Sequence, residues 1–341
     1  MENKKNALII RFSSLGDIVL CSAFVKKWQE LNPAGEMTFV TFSHFAPLLS
    51  QFPAPLNVMG IDKGGLSHYW RAGWRAGKAL TKLPKIYDLQ GNLKSFVFVS
   101  AAQLSLFLRF KSWAWSHKTP RQTFKRMLSV LLRRNLLGTR FVYLEHQSLL
   151  NATSPCTPEL KIVVKEVRKN ILLAPDSLHW KKRIPEDLCE SVIRNILTTT
   201  TDGITLVGGA QIVSHDLLDK INLEFPGRIH NLLGQTKLAE LASIAASHRL
   251  CVCGNSAWLH IAETVDTPVL SFAGPIVKGF GFSPWKNQSI ELEVDLKCRP
   301  CTRHGGGECP FEGERFHACV KQASWQLPLQ KMLALKFGDD L

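Results

Sequence analysis

A chain of 341 residues is long enough for two domains, each with its own core. Its 45% hydrophobic and 21% charged residues are the proportions of a globular protein, which excludes a disordered chain, and no run of about 18 uninterrupted apolar residues occurs. The formal charge of +14 is unevenly placed: residues 1–150 carry 21 Lys and Arg against 7 Asp and Glu, and the remainder holds 21 of each. Such an excess points to an anionic partner for the first half (nucleic acid, a phospholipid surface, or a phosphorylated or carboxylated substrate), with a merely solvated basic face as the plainer reading.

Two lysines precede the apolar run "ALIIRF" at 7–12, as in a signal peptide, but Arg11, Ser13, Ser14 and Asp17 interrupt it and no small-residue cleavage site follows. A cytoplasmic chain is expected. The run reads as a strand, followed by a tight turn at Gly16 and an amphipathic helix to about 31. Strands are predicted at 37–42, 56–61 and 85–90, with a basic helix at about 66–82. Residues 95–135 mix aromatic, aliphatic and basic residues. They read either as a buried helix followed by a surface helix, or as an amphipathic element that grips an anionic membrane surface. The Pro-, Ser- and Thr-rich stretch 151–160 predicts a linker. Alternation then resumes, with strands at 170–175, 203–209, 249–254 and 267–274 and helices at about 185–199, 237–247 and 257–264. The fold class is α/β, as two doubly wound domains with a boundary at 155/156. Asp17, Asp88, Gly208 and Asn255 fall at carboxyl ends of strands, where such sheets bind ligands.

Asp17 at a helix start is commonly only a cap. A nucleotide loop is not indicated, because neither GxGxxG nor GxxxxGK[ST] is present. In "HWKKRIPEDL" (179–188) Lys182 stands near a helix that starts close to Pro185, an arrangement suited to a diphosphate. His260 reads either as a buried helix histidine or as site support. Nine cysteines in a cytoplasmic chain argue against a disulfide framework. Cys298, Cys301, Cys309 and Cys319 read as reduced loop cysteines, with a structural zinc as the alternative.

The segment 231–275 carries Asn231, Leu232, Gly234, Thr236, Leu238, Glu240, Leu241, Ser256, His260, Ala262, Pro268, Gly274 and Pro275. With "SSLGDIV", "YDLQGNLKS" at 87–95 and "KKRIPEDL", it resembles the ADP-heptose:lipopolysaccharide heptosyltransferases, glycosyltransferase family 9. The resemblance covers nearly the whole chain. It implies two Rossmann-like domains facing a cleft, the GT-B architecture. The basic domain 1–155 would bind the acceptor, and 156–341, with its Cys-rich loop 298–319 and a C-terminal helix, the nucleotide sugar. It further implies inverting transfer of heptose from ADP-heptose to the lipopolysaccharide inner core, with Asp17 as general base and Lys182 neutralising the departing ADP. Ser13, Gly16, Lys182, Asn255, Ser256, Ala257 and His260 would contact the donor, and Lys94, Lys118, Arg121 and Lys125 the acceptor. No metal is required for transfer on this reading, and the expected protein is a monomer that docks transiently on the inner membrane through 95–135.

The donor side departs from the family pattern. Asn255 stands where the family has Asp, Ala257 where it has Gly, and Asp176 where a small glycine is usual. The family's Glu after "LVGG" has no counterpart in "GGAQIVSHD". These departures keep open a different nucleotide sugar, or a catalytically silent binding homologue. A nucleic-acid-binding module using the basic half and a zinc knuckle is the remote alternative; the basic residues form no recognisable reader motif, so no nucleic-acid partner is expected.

Overall fold

The computed structural model describes residues 5–119, 122–162, 169–209 and 212–335. The chain divides into two compact units, one of Met1–Arg121 with Val142–Lys161 and the other of Gln122–Phe141 with Ile162–Leu341.

The first unit is built from β1 (Asn6–Ile10), α1 (Leu15–Leu31), β2 (Glu36–Phe42), β3 (Asn57–Ile61), α2 (Leu66–Ala79), β4 (Lys85–Asp88), α3 (Leu93–Phe110) and β5 (Ser116–Lys118). Its sheet runs β3-β2-β1-β4-β5 with every pairing parallel. A central parallel strand is covered on both faces, so β1 is buried along its whole length and its sequence is apolar rather than alternating. Leu8 and Ile10 face α2 and α3 through Tyr69, Ala76, Phe98 and Ala102, while Tyr87 on the opposite face meets Phe24 of α1 at 5.0 Å between ring centres. Helices α2 and α3 touch through their backbones: a β-carbon at Gly73 would fall 2.1 Å from the Phe98 carbonyl oxygen, and one at Gly77 2.7 Å from that of Ala102. Among the described residues, α3 alone has the length and hydropathy of a membrane span; here it packs Phe98, Ala102 and Leu106 into the core and leaves Leu93, Phe96 and Leu108 exposed.

After β5 the chain contributes α4 (Thr123–Leu132) to the second unit. Arg126 anchors it, donating to the Phe280 carbonyl at 2.8 Å with its guanidinium over the Phe280 and Phe282 rings. Helix α5 (Val142–Gln147) and the segment after it return to the first unit. The expected linker 151–160 is therefore braced on α1: Glu159 pairs with Lys26 and donates its backbone N–H to Ser22 Oγ at 3.0 Å. The chain thus leaves the first unit at Lys161 rather than at 155/156, and Lys125, Arg126, Arg133, Arg134 and Arg140 belong with the second unit.

The second unit follows with β6 (Ile171–Ala174), α6 (Glu186–Thr199), β7 (Ile204–Leu206), α7 (His215–Glu224), β8 (Ile229–Asn231), α8 (Leu241–Ala246), β9 (Leu250–Gly254), α9 (Ala257–Thr264), β10 (Val269–Phe272), β11 (Ile290–Leu292), α10 (Ala318–Lys321) and α11 (Gln326–Ala334). Its sheet runs β11-β10-β9-β6-β7-β8, again all parallel. Strand order reverses between β1 and β4 in the first unit and between β6 and β9 in the second. The loops after those four strands are where each sheet can hold a ligand.

The backbone contact of α2 with α3 leaves no space for a side chain at residue 73. Gly73→Val is expected to destabilise the protein by about 3 kcal/mol, toward the upper end of overpacking costs, read from the shift of its urea unfolding curve against wild type.

Candidate active site

In the first unit the loop after β1 is braced by the loop after β4. Gln90 Oε1 accepts the Phe12 and Ser13 N–H groups at 3.0 and 3.2 Å, and Arg11 donates to the Leu89 carbonyl at 2.5 Å. Asp88 turns the second loop, accepting from the Gln90 and Gly91 N–H groups at 3.0 and 2.7 Å and from Ser95 Oγ at 2.8 Å; it is a structural residue. Asp17, in the first turn of α1, does two things at once. Its Oδ2 caps the helix, accepting from Ser14 N–H and Oγ at 3.2 and 2.8 Å, and its Oδ1 pairs with Arg11 at 2.6 Å. Burial pushes this carboxyl up, but the Arg11 charge and the Ser14 hydrogen bonds outweigh it and hold Asp17 at about 2. The side chain keeps 15% exposure, so an ionised carboxylate reaches solvent at the switch point. His146 does not supply a second cation beside it, because burial and the Arg11 charge push its imidazole down to about 3.

In the second unit the loops after β6 and β9 meet. Gly254 ends β9, and a β-carbon there would fall 2.0 Å from the Lys182 carbonyl oxygen, so the turn Trp180–Lys182 lies directly on the strand end. Lys182 Nζ donates to Asn255 Oδ1 at 2.9 Å, and Asn255 Nδ2 donates to the Phe282 carbonyl at 3.2 Å. Asn255 aims the ammonium without neutralising it, which the acidic residue of the family pattern would do. Ser256, directly after Asn255, is the N-cap residue of α9, and a helix N-terminus next to the residue that Lys182 contacts is a combination that favours a phosphate. Ala257 begins the helix, half-buried. His260 is 4% exposed and stacks on Trp285 at 5.8 Å, a place within the packing behind the loop. Asp176, at the end of β6, pairs with Arg183 at 3.0 Å and accepts the Gly209 N–H at 3.1 Å, tying the β6 and β7 loops together.

The family model for glycosyltransferase family 9 (heptosyltransferase) matches residues 85–310. The chain belongs to glycosyltransferase family 9. Over 295 residues, 79% of each chain, it is 22% identical to the lipopolysaccharide core heptosyltransferase OpsX of Haemophilus influenzae. Its fold is similar to that of the E. coli ADP-heptose lps heptosyltransferase II, with TM-score 0.65 and 16% identity, covering 86% of this chain and 92% of that one. It is also similar to E. coli heptosyltransferase WaaC with ADP-2-deoxy-2-fluoro heptose, with TM-score 0.60 and 16% identity, covering 93% and 98%. The architecture is GT-B and the chain is a glycosyltransferase.

Within this glycosyltransferase the expected site residues sort by unit. Ser13, Gly16 and Asp17 gather at the first switch point, and Lys182, Asn255, Ser256 and Ala257 at the second. Of the expected acceptor residues, Lys94 opens α3 and lies over the Tyr69 ring, and Lys118 ends β5 in register with Asp88. Lys125 lies on α4 in the second unit, and Arg121 lies outside the described residues. Among the described residues, no three His, Cys, Asp or Glu side chains converge to ligating geometry. Sequence reasoning missed Arg11, Gln90 and Gly254. A lone arginine closing an apolar strand was the available signal for the first, whereas close backbone approach leaves no mark beyond the glycine itself.

The low value for Asp17 carries a stability signature. With its folded pKa near 2 against 3.8 for the free side chain, its contribution of about 2 kcal/mol is fully present above pH 4 and is lost as the pH falls through 2. Urea unfolding of wild type and Asp17→Asn is expected to differ by about that amount at pH 7 and to converge at the acid end.

Proposed function

We propose that this glycosyltransferase transfers heptose from ADP-heptose to the inner core of lipopolysaccharide, with inversion at the anomeric carbon. The observation that carries the reading is the second unit's switch point. Lys182, aimed by Asn255 and seated on Gly254 beside the α9 N-terminus, offers a positive charge and backbone donors where a departing diphosphate needs them. The relatives' names supply the donor and acceptor classes: one is a lipopolysaccharide core heptosyltransferase, and one was solved with an ADP-heptose analogue.

Asp17 is the proposed base. Inverting attack needs a carboxylate on the acceptor side to take the hydroxyl proton, and Asp17 is ionised at every physiological pH. Its low basicity suits a proton that moves late, once the sugar–oxygen bond to the diphosphate has largely broken and the attacking hydroxyl has become acidic. The Arg11 pair orients the carboxylate and keeps it from picking up a proton beforehand. A consequence for the pH profile is that any loss of activity between pH 7 and 5 is expected to arise from a group other than Asp17.

We further propose that the protein works in the cytoplasm and docks on the inner membrane through α2. The outer face of that helix forms a groove of about 340 Å³ lined by Trp70, Arg71, Trp74 and Arg75, the pairing of indole and guanidinium that suits an anionic headgroup layer. The expected segment 95–135 supports the same reading, since it turns Phe96, Trp113, Trp115, Phe124 and Leu131 outward and carries the exposed Lys111, Lys118 and Lys125.

The deciding assay is mass-spectrometric detection of heptose added from ADP-heptose to a heptose-deficient lipopolysaccharide core. Wild type is expected to add one heptose; Asp17→Asn should lose about 10² to 10⁴ in rate and Lys182→Met about 10² to 10³ in kcat. Absence of transfer by folded wild type on both heptose-free and mono-heptosylated cores would move the reading to another donor. For docking, Arg71→Glu with Arg75→Glu should weaken flotation with anionic vesicles by at least about tenfold, and unchanged flotation removes α2 as the surface.

A further inference from the structure

Glu263, in the last turn of α9, is fully buried and takes no part in the chemistry proposed above. The helix itself has no use for a carboxylate there, since the negative end of its dipole lies at that turn. What the group meets is backbone. Its Oε2 accepts the Trp285 N–H at 2.8 Å and its Oε1 the Lys286 N–H at 2.9 Å, and the Ser289 hydroxyl adds a further hydrogen bond. A buried carboxylate with backbone donors on both oxygens is a clamp, and what it clamps is the segment 282–286 in the connection between β10 and β11.

That segment also carries the support of Lys182. The Phe282 carbonyl accepts from Asn255 Nδ2 at 3.2 Å, and Asn255 Oδ1 in turn receives Lys182 Nζ at 2.9 Å. The centre of the Phe282 ring lies 5.9 Å from the same ammonium, and the Trp285 ring stacks on His260, one turn before Glu263 on α9. One helix therefore holds the segment twice, through a ring with His260 and through the backbone with Glu263.

We propose that Glu263 is a positioning residue for the transfer: its carboxylate clamps residues 285 and 286, and through the Phe282 carbonyl it sets Asn255 and so the place of the Lys182 ammonium. The coupling to activity rests on the proposed use of Lys182 toward a diphosphate; the clamp itself does not. Burial pushes the Glu263 carboxyl up to about 7, against the two N–H groups, Ser289 and Lys286, which pull it down. Its neighbours do not replace its charge. The Lys286 ammonium pairs with Asp266, and β9 brings the Cys251 and Cys253 thiols, the latter pushed well up by burial. Glu291 of β11, also pushed up by burial, bonds the Ser283 hydroxyl, His260 faces Trp285, and α8 and β10 bring no ionisable group. Below pH 7 one Glu263 oxygen takes a proton and no longer accepts its N–H with full charge, so the segment loosens in acid. The folded chain keeps this proton to higher pH than an unfolded one, whose Glu titrates near 4.5, so the stability this group contributes rises as the pH falls from 7 toward 4.5. A fall in kcat that Glu263 causes across that window is local loosening rather than unfolding.

The test reads amide hydrogen exchange at 285 and 286 in the full chain by mass spectrometry, corrected for the intrinsic pH dependence of exchange, alongside heptosyl transfer. In wild type the protection of these amides is expected to fall about tenfold between about pH 8 and pH 6, following the ionised fraction of Glu263, while β9 stays protected. Glu263→Gln should show the low protection at both pH values, with kcat at about pH 8 lowered about tenfold, its acid limb flattened and the acceptor KM unchanged. Glu291→Gln should keep the pH dependence. Equal protection in wild type and Glu263→Gln at both pH values overturns the clamp, and the wild-type pH series decides its titration even if the variant fails to fold. A pH dependence that disappears in Glu291→Gln instead overturns the assignment to Glu263. Lowered protection with kcat and its pH profile unchanged overturns the coupling to Lys182. Transfer absent from folded wild type removes the proposed function, and the exchange measurements still decide the clamp.

Discussion

The carbonyl of Lys182 lies so close to Gly254 that a β-carbon would fall 2.0 Å from its oxygen. This contact joins the loops after the two strands between which the order of the second sheet reverses, and several other features follow from it. The turn Trp180–Lys182 has nowhere else to go, so the Lys182 side chain leaves it toward Asn255 rather than toward solvent. Gly274, at φ 63°, gives the neighbouring Lys181 carbonyl similar clearance, with its β-carbon position 3.1 Å from that oxygen. The loop after β6 is thus assembled by backbone against backbone, with side chains added to a frame that small residues allow.

The first unit reaches its geometry by charge and hydrogen bonding instead. Arg11 follows directly on β1, pairs with Asp17 and reaches the Leu89 carbonyl, while Gln90 accepts from the next two residues of the chain, Phe12 and Ser13. A carboxylate held this way has little freedom, which is what a positioned base requires and also what a helix cap requires. The capping and catalytic readings of Asp17 are therefore compatible: Oδ2 meets Ser14 while Oδ1 meets Arg11, and the capping contact fixes the group in the place where the proposed chemistry uses it.

Much of this was legible in the sequence, and the reason is periodicity. Continuous apolar runs such as "ALII" and "LCVC" belong to central parallel strands buried on both faces, and the helix after each strand begins where a polar turn ends. What escaped were short or polar elements. β5 (Ser116–Lys118) has no apolar residue to announce it, and α7 (His215–Glu224) and β8 (Ile229–Asn231) are half-exposed with diluted patterns. The predicted helix at 237–247 shrinks to Leu241–Ala246 because the residues before it are spent on turns. The path of 122–161 was illegible for a different reason: whether a segment stays with one unit or crosses to the other is decided by distant partners, Phe280 for Arg126 and Lys26 for Glu159. Composition alone made 151–160 look like a linker.

The departures from the family pattern on the donor side share one electrostatic logic. An acidic residue at 255 would pair with Lys182 and cancel its charge before any ligand arrived; Asn255 makes its 2.9 Å contact with the ammonium without adding a negative charge. At 176 the substitution runs the other way, adding a carboxylate, yet Arg183 pairs with it at 3.0 Å and the Gly209 N–H meets its other oxygen. The negative charge at 176 is thereby kept local to the β6 and β7 loops. The two changes thus differ in sign but share a consequence: position 255 adds no carboxylate beside Lys182, and the carboxylate at 176 has Arg183 as its ion-pair partner, an arrangement compatible with the diphosphate-leaving-group chemistry proposed for this loop.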